Sequence, residues 1–287
     1  MTARVFCGFF ALAVTLFLLH ACDYVKPPDL IEPTDSIPDT LSVVQQRIVL
    51  LEDYTGLTCG HCPKAADAAN QAISLFGKQV VVLGVHSGGF AAPVLPDYPE
   101  DFRCAEGNEL NSFFGISAVG NPNGMVNRFG KPADEHVVAY TTWNAKVTQE
   151  LAKPLSAWID VVPSYNSATR QSSITVKTEF KIALQGDYKL ACYIAEDSIV
   201  GNQKDYRKSP SHVTNFVHRH VLRGSYNNSA WGELIAANPP ASSNTIDRNY
   251  TATLPSSWDA KHCYAIAFVY NASTYEVIQA REIKVIP

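Results

Sequence analysis

The chain has 287 residues, of which 46% are hydrophobic and 17% charged, with a formal net charge of −4. This balance excludes a disordered chain and a coiled coil, and 23 basic residues against 27 acidic ones leave no basic surface for nucleic acid. The length predicts about two domains. Seven cysteines are an odd number, so any scheme of pairing leaves at least one of them over.

The N-terminus has the pattern of a secretory signal. Arg4 is followed by an apolar run from Val5 to Leu19, which is shorter than the ~20 residues of a membrane span. The run ends in Leu19-His20-Ala21-Cys22, which resembles the lipobox of bacterial lipoproteins. The resemblance implies that residues 1–21 are removed and that Cys22 carries lipid and anchors the chain to a bilayer. The alternative is an ordinary cysteine after a simple signal cleavage.

Residues 22–46 are predicted to form a tether, because prolines favour extended backbone and acidic residues keep it solvated. Two short segments in it, Asp35-Ser36-Ile37 and Asp39-Thr40-Leu41, resemble the acceptor of the O-glycosylation system of Bacteroidota. The resemblance implies glycosylation at Ser36 and Thr40. The alternative is plain linker serine and threonine.

The next elements are a strand, a helix and a second strand. Arg47–Tyr54 is a short apolar run typical of a buried strand, Pro63–Phe76 has apolar residues at helical spacing, and Lys78–His86 is a second apolar strand. Gly77 ends the helix as a cap residue. The sequence Cys59-Gly60-His61-Cys62 is therefore expected between a strand and the first turn of a helix.

This position favours thiol–disulfide chemistry at the two cysteines. The first turn of a helix carries free N–H groups and a partial positive charge, which stabilise a thiolate at Cys59. Cys62 lies one turn further on, where it could attack a mixed disulfide at Cys59. A His61 imidazolium beside the thiolate favours the reduced pair and makes the disulfide a stronger oxidant. The pattern predicts a redox-active pair, and a structural disulfide is the alternative.

Zinc is a competing interpretation of two cysteines three residues apart. A structural zinc site usually takes two such pairs, and the chain has no second Cys-x-x-Cys. Cys104 or His86 could complete a site with the first pair. The simpler expectation is a pair that uses neither metal nor other cofactor.

The stretch from Asp53 to Cys62 resembles the thioredoxin superfamily, and Cys-Gly-His-Cys is the tetrapeptide of protein disulfide isomerase domains. The resemblance implies that Asp53 is the buried acid that assists proton transfer. Strand alternation supports this, and the alternative is an exposed Asp53 with Glu52 inward. Thr58 stands where the superfamily has a tryptophan that contacts substrate.

The superfamily also has a cis-proline loop that faces the cysteines. The segment Phe114–Pro122 resembles the approach to it, which implies that Pro122 is the cis-proline, and an ordinary Asn-Pro turn is the alternative. Residues 87–113 form an insertion that contains Cys104, either a free thiol or an extra redox partner. Val137–Leu151 is predicted as the last helix of this domain.

From Pro154 the pattern changes to short strands separated by Asn, Ser, Gly and Pro, with no clear helix, which favours an antiparallel β-sandwich. Gly201–Asn215 is polar and is predicted to be a loop over one edge. His218 and His220 would share one strand face, where metal binding competes with exposure or packing. The predicted strands are Leu155–Tyr165, Ser172–Ala183, Tyr188–Ala195, His218–Ser225, Arg248–Leu254, His262–Tyr270 and Glu276–Val285.

Cys192 and Cys263 fall in the third and sixth of these strands, which are neighbours in immunoglobulin-like sandwiches. A disulfide between them could form in an oxidising compartment. Each could equally be a small buried hydrophobic residue.

The mature chain as a whole resembles the outer-membrane lipoproteins of Bacteroidota known as the twenty-eight-kilodalton family. The resemblance implies a thioredoxin-like domain at 47–153, a β-sandwich domain at 154–287 and an outer-membrane location. Surface adhesion and thiol redox roles are both associated with this family. The segments that carry the resemblance are Leu51–Gly56 before Cys-Gly-His-Cys-Pro, Gly120–Pro122, Val126–Arg128, His220–Gly224, Ala265–Asn271 and Val277–Ala280.

The function predicted from these observations is a lipid-anchored thiol–disulfide oxidoreductase that acts on protein cysteines. Cys59 is the nucleophile, Cys62 resolves the mixed disulfide and His61 tunes the potential; the resemblance adds Asp53 as proton relay and Pro122 as the residue that orients the substrate. The rival is a non-enzymatic surface lipoprotein, such as an adhesin with a surface ligand, in which the thioredoxin-like domain is a scaffold.

Overall fold

A computed structural model describes residues 45–130 and 135–286. The predicted signal peptide, the lipidation site Cys22, residues 22–44 of the tether and the glycosylation sites Ser36 and Thr40 lie outside the described residues. Within the described ranges, no helix is both long enough and apolar enough to span a membrane.

The first part of the described chain mixes strands and helices. The predicted strand–helix–strand is confirmed to within two residues at each boundary, but the helix predicted from Val137 begins only at Trp143, because residues 138–139 pair with a strand and 140–142 form a 3-10 turn. The elements are β1 (Val49–Thr55), α1 (Cys62–Phe76), β2 (Val80–His86), α2 (Ala105–Phe114), α3 (Ile116–Val119), β3 (Asn123–Val126), β4 (Val138–Ala139) and α4 (Trp143–Leu151).

The remainder of the described chain has strands and one short 3-10 turn. All seven predicted strands are present, three more were not predicted, and the strand predicted from His218 begins at Val221. The strands are β5 (Ala157–Asn166), β6 (Gln171–Phe180), β7 (Asp187–Glu196), β8 (Ile199–Lys204), β9 (His212–His218), β10 (Val221–Ser225), β11 (Glu233–Ala237), β12 (Ile246–Thr253), β13 (Cys263–Asn271) and β14 (Val277–Lys284).

The loop predicted at Gly201–Asn215 is wrong, because most of it belongs to the hairpin of β8 and β9. The two strands of this hairpin pair only with each other and form a separate two-stranded sheet. Much of the hairpin remains accessible to solvent. Its sequence therefore lacks the apolar alternation by which strands are recognised.

One sheet of nine strands runs through both parts of the described chain, in the order β14-β13-β7-β10-β2-β1-β3-β4, with β11 paired to β7. β1 is parallel to β2 and antiparallel to β3. The two parts meet where Val221 of β10 pairs with Gly84 of β2. Mixed structure gives way to strands between α4 and β5, but the two sides of this position share a sheet and a core.

Three large apolar clusters and a small one of Leu57, Tyr98, Phe102 and Val221 hold the described residues together. Helices α1 and α4 cover one face of β1 and β2, where Val49, Val82 and Trp143 are buried. The opposite face shares a cluster with Leu110 and Phe114 of α2 and with residues of β7 and β13 in the same sheet. A three-stranded sheet of β12, β6 and β5 encloses the third cluster. Because β1 is buried on both faces, its sequence is an almost continuous apolar run.

Candidate functional site

Cys59 and Cys62 are joined in a disulfide between β1 and α1, with their Cα atoms 5.4 Å apart. The Cys59 N–H donates to the carbonyl of Gly56, and the Cys62 N–H donates to the carbonyl of Cys59. The two residues are only 3% and 1% exposed. The motif therefore lies where the sequence predicts it, and its sulfur atoms are held in a tight, largely buried turn.

The disulfide lies at the positive end of α1. Cys62 is the first residue of the helix, and Pro63 follows in the first turn, where its missing N–H is not needed. His61 occupies the cap position without a side-chain hydrogen bond to the helix, and the first turn contains no acidic residue. On reduction, a thiolate at Cys59 would face a partial positive charge that no acidic residue of the first turn cancels.

Asp53 and Glu52 are both buried, on opposite faces of β1. From the sequence, one of the two carboxyl groups was expected to be exposed, but β1 is covered on both faces and neither group is exposed. Glu52 accepts two hydrogen bonds of 2.8 Å from Arg128. Asp53 Oδ1 has no hydrogen-bond partner in the described part of the chain. Burial raises the pKa of Asp53 from its ordinary 3.8 to about 7.

A cavity of about 260 Å³ lies between α1, the sheet and the β8–β9 hairpin. Asp53 and Cys62 both line it, so the predicted proton-transferring acid and the resolving cysteine face the same space. His86 and His218 line it as well, with ring centroids 5.3 Å apart. Burial lowers the pKa of His218 to about 4 and that of His86 well below its ordinary value, so both rings are neutral near pH 7.

The peptide bond between Asn121 and Pro122 is cis, as the resemblance implied. It precedes β3, where Asn123 pairs with Tyr54 of β1. On the approach to the cysteines, Thr58 donates through its N–H and its hydroxyl to the carbonyl of Phe90, each at 3.0 Å. A shallow pocket of about 290 Å³ there is lined by Gly89, Phe90, Ser117 and Asn121.

Gln203 contacts the site but was not identified from the sequence. Gln203 is 2% exposed, and its Nε2 donates to the carbonyls of Gly56 and Cys59 at 3.2 and 3.1 Å. The contact with Cys59 joins residues 144 positions apart. No local pattern of residues could signal such a contact.

Of the two alternatives for Cys192 and Cys263, the structure does not have the disulfide, since both cysteines are free and buried. Their strands are neighbours, as expected, but Cys192 pairs with Ala267 and Cys263 pairs with Glu196. This register leaves the two cysteines four residues apart along the ladder, about 13 Å, well beyond the reach of a disulfide. Each cysteine instead packs as a small buried hydrophobic residue, which was the other alternative drawn from the sequence.

Cys104 is a free, half-buried cysteine at the start of α2. Its sulfur accepts the Gly107 N–H at 3.3 Å and so caps the helix. Burial raises the pKa of its thiol to about 12. A thiol that stays protonated is a poor nucleophile, which favours the structural alternative over an extra redox partner.

His218 and His220 do not share a strand face, because β9 ends at His218 and β10 begins only at Val221. His218 contacts His86 and Phe102, whereas His220 lies between Asp197 and Glu282. Among the residues that the structure describes, no group of three or more histidine, cysteine or acidic side chains is placed to hold a metal ion.

Comparison with known proteins places the chain in context. The sequence model of the family described as outer membrane protein Omp28 matches residues 108–287, which is more than half of the chain. The matched range does not include Cys59 or Cys62. No curated protein matches the chain.

Solved structures give a likeness of fold. HBP35 of Porphyromonas gingivalis superposes with a TM-score of 0.64 at 17% identity, over 84% of this chain and 76% of that chain. A protein of Agrobacterium tumefaciens has a TM-score of 0.48 at 15% identity, over 84% and 96% of the two chains. A domain of the outer membrane lipoprotein Omp28 from Porphyromonas gingivalis has a TM-score of 0.32 at 23% identity, over 46% and 90%. At these identities the HBP35 structure informs the fold alone.

Proposed function

This chain belongs to the Omp28 family of outer membrane proteins, and on that premise we propose that it is a thiol–disulfide oxidoreductase that acts on protein cysteines. It is a lipid-anchored protein of the outer membrane. The cell envelope is an oxidising compartment, in which a disulfide such as Cys59–Cys62 is the expected resting state. We assign the lipid to Cys22.

The proposal includes a finer description of the fold. We take residues 47–153 as a thioredoxin-like region and residues 154–287 as an immunoglobulin-like β-sandwich. The parallel pair of β1 and β2 around α1, followed by the antiparallel β3, supports the first assignment. The packing of the β12-β6-β5 sheet over β7 and β13 supports the second.

The observation that carries the proposed function is the shared cavity of Cys62 and Asp53. A disulfide at a helix N-terminus could serve structure alone. A buried, unpaired carboxyl beside it destabilises the fold at neutral pH, which is a feature more easily explained by chemistry than by packing. With its pKa raised to about 7, Asp53 can both hold and release a proton at envelope pH.

In the oxidising direction, a substrate thiolate attacks Sγ of Cys59. A substrate–Cys59 bond forms, the Cys59–Cys62 bond breaks, and the Cys62 thiolate takes a proton from Asp53. A second substrate thiolate then attacks the substrate sulfur of the mixed disulfide and releases the Cys59 thiolate to the positive end of α1. Two electrons pass from the substrate to the pair, which is left as a Cys59 thiolate and a Cys62 thiol; the two substrate thiols have given their protons to solvent, and Asp53 takes one back from solvent. The reverse sequence reduces a substrate disulfide.

We propose that the protein substrate lies beside Phe90 and Pro122. Phe90 is 48% exposed and Val119 is 66% exposed, and both belong to the segments that flank the shallow pocket near Thr58. Phe90 would then offer an aromatic contact where the Thr58 side chain cannot. Pro122 would orient the substrate backbone.

The test is insulin reduction and reactivation of scrambled ribonuclease by the full-length chain purified in detergent. Cys59→Ser and Cys62→Ser should each abolish activity. Cys104→Ser is the matched control, because a serine hydroxyl can replace the sulfur as the cap of α2. Activity that survives in Cys59→Ser would refute the proposed function.

The second candidate is a non-enzymatic surface module, and the burial of both cysteines favours it. The reduction potential of the Cys59–Cys62 pair separates the two functions. A structural disulfide lies below about −300 mV, whereas oxidising catalytic pairs lie near −180 to −120 mV. A value in the first range, together with inactivity in both assays, would support the surface module.

A further inference from the structure

A segment of the hairpin of β8 and β9 lies against the cysteine motif. The Lys204 N–H donates to the carbonyl of Leu57 at 2.7 Å, and the Tyr206 N–H donates to the carbonyl of Gly60 at 3.0 Å. The donors and acceptors follow each other in the same order along the two segments. Residues 203–207, here named the strap, therefore run alongside the motif in the same direction.

Two further contacts fix the strap in place. The buried amide of Gln203 donates to the carbonyls of Gly56 and Cys59, as described above. At the other end of the strap, Arg207 pairs with Asp67 of α1 and with Asp205 of the strap itself. The strap is thus tied both to the turn before the disulfide and to the helix after it.

Tyr206 covers the residues between the two cysteines. Its ring meets the His61 ring edge-on, with centroids 5.0 Å apart. A Cβ atom placed on Gly60 would lie 2.5 Å from the Tyr206 ring, so the ring fills the space that glycine leaves open. Tyr206 is nevertheless 55% exposed, so the ring lies on the outside of the motif with one side open to solvent.

These contacts bear on access to the disulfide. An incoming sulfur must reach Sγ of Cys59 from outside, and Cys59 is 3% exposed. The carbonyls of residues 56, 57, 59 and 60 all accept from the strap, so this flank of the motif is closed to a second polypeptide.

We propose that the strap limits access to Cys59, and that Tyr206 is the positioning residue that holds it closed over the motif. The inference rests on the proposed function only in taking Cys59 as the reactive sulfur. A substrate protein has to displace the strap or approach by the opposite flank, next to Phe90. Residues far along the chain thus contact the cysteine motif directly, through backbone and side-chain atoms of the strap.

The experiment compares rates of alkylation of Cys59 in the reduced full-length protein, read by mass spectrometry of the Cys59 peptide. Two reagents are used, small iodoacetamide and a bulky polyethylene-glycol maleimide. Loss of an aromatic contact should make Tyr206→Ala react about threefold to tenfold faster with the bulky reagent, and less so with the small one. Tyr206→Phe keeps the ring and should react like the wild type.

A double-mutant cycle tests the contact itself. Gly60→Ala should displace the Tyr206 ring and accelerate the bulky reagent in the wild-type background. In a Tyr206→Ala background the added methyl group has nothing to displace, so Gly60→Ala should have little further effect. Equal effects of Gly60→Ala in both backgrounds would show that the ring does not hold the strap.

Unchanged rates for Tyr206→Ala with both reagents would overturn the proposal. If that variant fails to fold, Arg207→Ala releases the strap from α1 and should also accelerate the bulky reagent; unchanged rates there overturn the proposal equally. Alkylation requires no turnover. If the wild type does not reduce insulin but Tyr206→Ala is alkylated faster, the proposed function is rejected and the role of the strap is supported. If the wild type reduces insulin but the variants are alkylated at the wild-type rate, only the role of the strap is rejected.

Discussion

Glu52 and Asp53 are consecutive residues of β1 with buried carboxyl groups, yet Glu52 is paired with Arg128 while Asp53 Oδ1 has no partner in the described residues. Strand geometry sends the two side chains to opposite faces of the sheet. On one face the carboxylate meets a guanidinium surrounded by aromatic rings, and on the other the carboxyl meets the cavity beside Cys62. A buried carboxyl group therefore has a basic partner on one face of β1 and, on the other face, borders the cavity that the proposed function uses.

Asp53→Asn is expected to stabilise the oxidised protein at neutral pH. Because its pKa rises from 3.8 to about 7 on folding, the folded chain holds a proton between these values that the unfolded chain has released. Stability of the wild type therefore falls as pH rises through this window, by up to about 4 kcal/mol at pH above 7. An amide has no such dependence.

Urea denaturation at pH 4 and pH 8 measures the effect. The variant and the wild type should be similar at pH 4 and should differ by a few kcal/mol at pH 8, with the variant the more stable. Asp97→Asn, on an exposed aspartate, is the control. A variant that is less stable than the wild type at both pH values would contradict the burial of an unpaired carboxyl.

His218→Phe is expected to weaken the loss of stability on acidification. Burial holds the pKa of His218 at about 4, so below pH 6.5 the unfolded chain takes up a proton that the folded chain does not. The wild type therefore loses up to about 3 kcal/mol at this site as pH falls from 6.5 to 4. Phenylalanine keeps a ring against His86 and Phe102 and does not titrate.

Melting curves between pH 7.5 and pH 4.5 check this expectation, with His262→Gln on an exposed histidine as the control. Phenylalanine also loses the hydrogen bond from His218 to the Asn202 carbonyl, which lowers stability by a similar amount at every pH. Only the slope of the melting temperature against pH reports the titration of His218. Parallel curves for the variant and the wild type would count against a buried neutral histidine.

The strand–helix–strand unit around Cys59 could be predicted because its signals are local. The apolar runs before and after α1, the helical spacing within it and Gly77 after it mark each boundary, and they hold to within two residues. The position of the cysteines follows from these boundaries. The sequence alone therefore predicts that the cysteines lie at the positive end of α1.

The strap could not be predicted, because it depends on pairing between distant segments. Gln203 and Cys59 are 144 residues apart, and the polar sequence of the hairpin resembles a loop. The register of β7 and β13 is likewise set by packing across the whole sheet. The strands of Cys192 and Cys263 were recognisable, but their four-residue offset was not.

Glu52→Gln is expected to destabilise the protein strongly. Glu52 and Arg128 are both fully buried and joined by two hydrogen bonds of 2.8 Å. Removing one charge leaves the other buried and uncompensated, which costs about 3–5 kcal/mol. Asp101→Asn is the matched control, because its pair with Arg103 is accessible to solvent and is worth at most about 1 kcal/mol. Similar losses of unfolding free energy for both variants in urea denaturation would contradict the expectation that the buried pair matters more than the exposed one.

Peptide mapping without reduction is expected to separate the five cysteines that the structure describes into two classes. Cys104, Cys192 and Cys263 are free, so each should be alkylated when the protein is unfolded in the presence of reagent. Cys59 and Cys62 should react only after reduction, since they form the disulfide. The register of β7 and β13 predicts that oxidation cannot join Cys192 to Cys263 without unfolding the sheet. A cross-linked peptide containing both, recovered from protein kept folded throughout oxidation, would contradict that register.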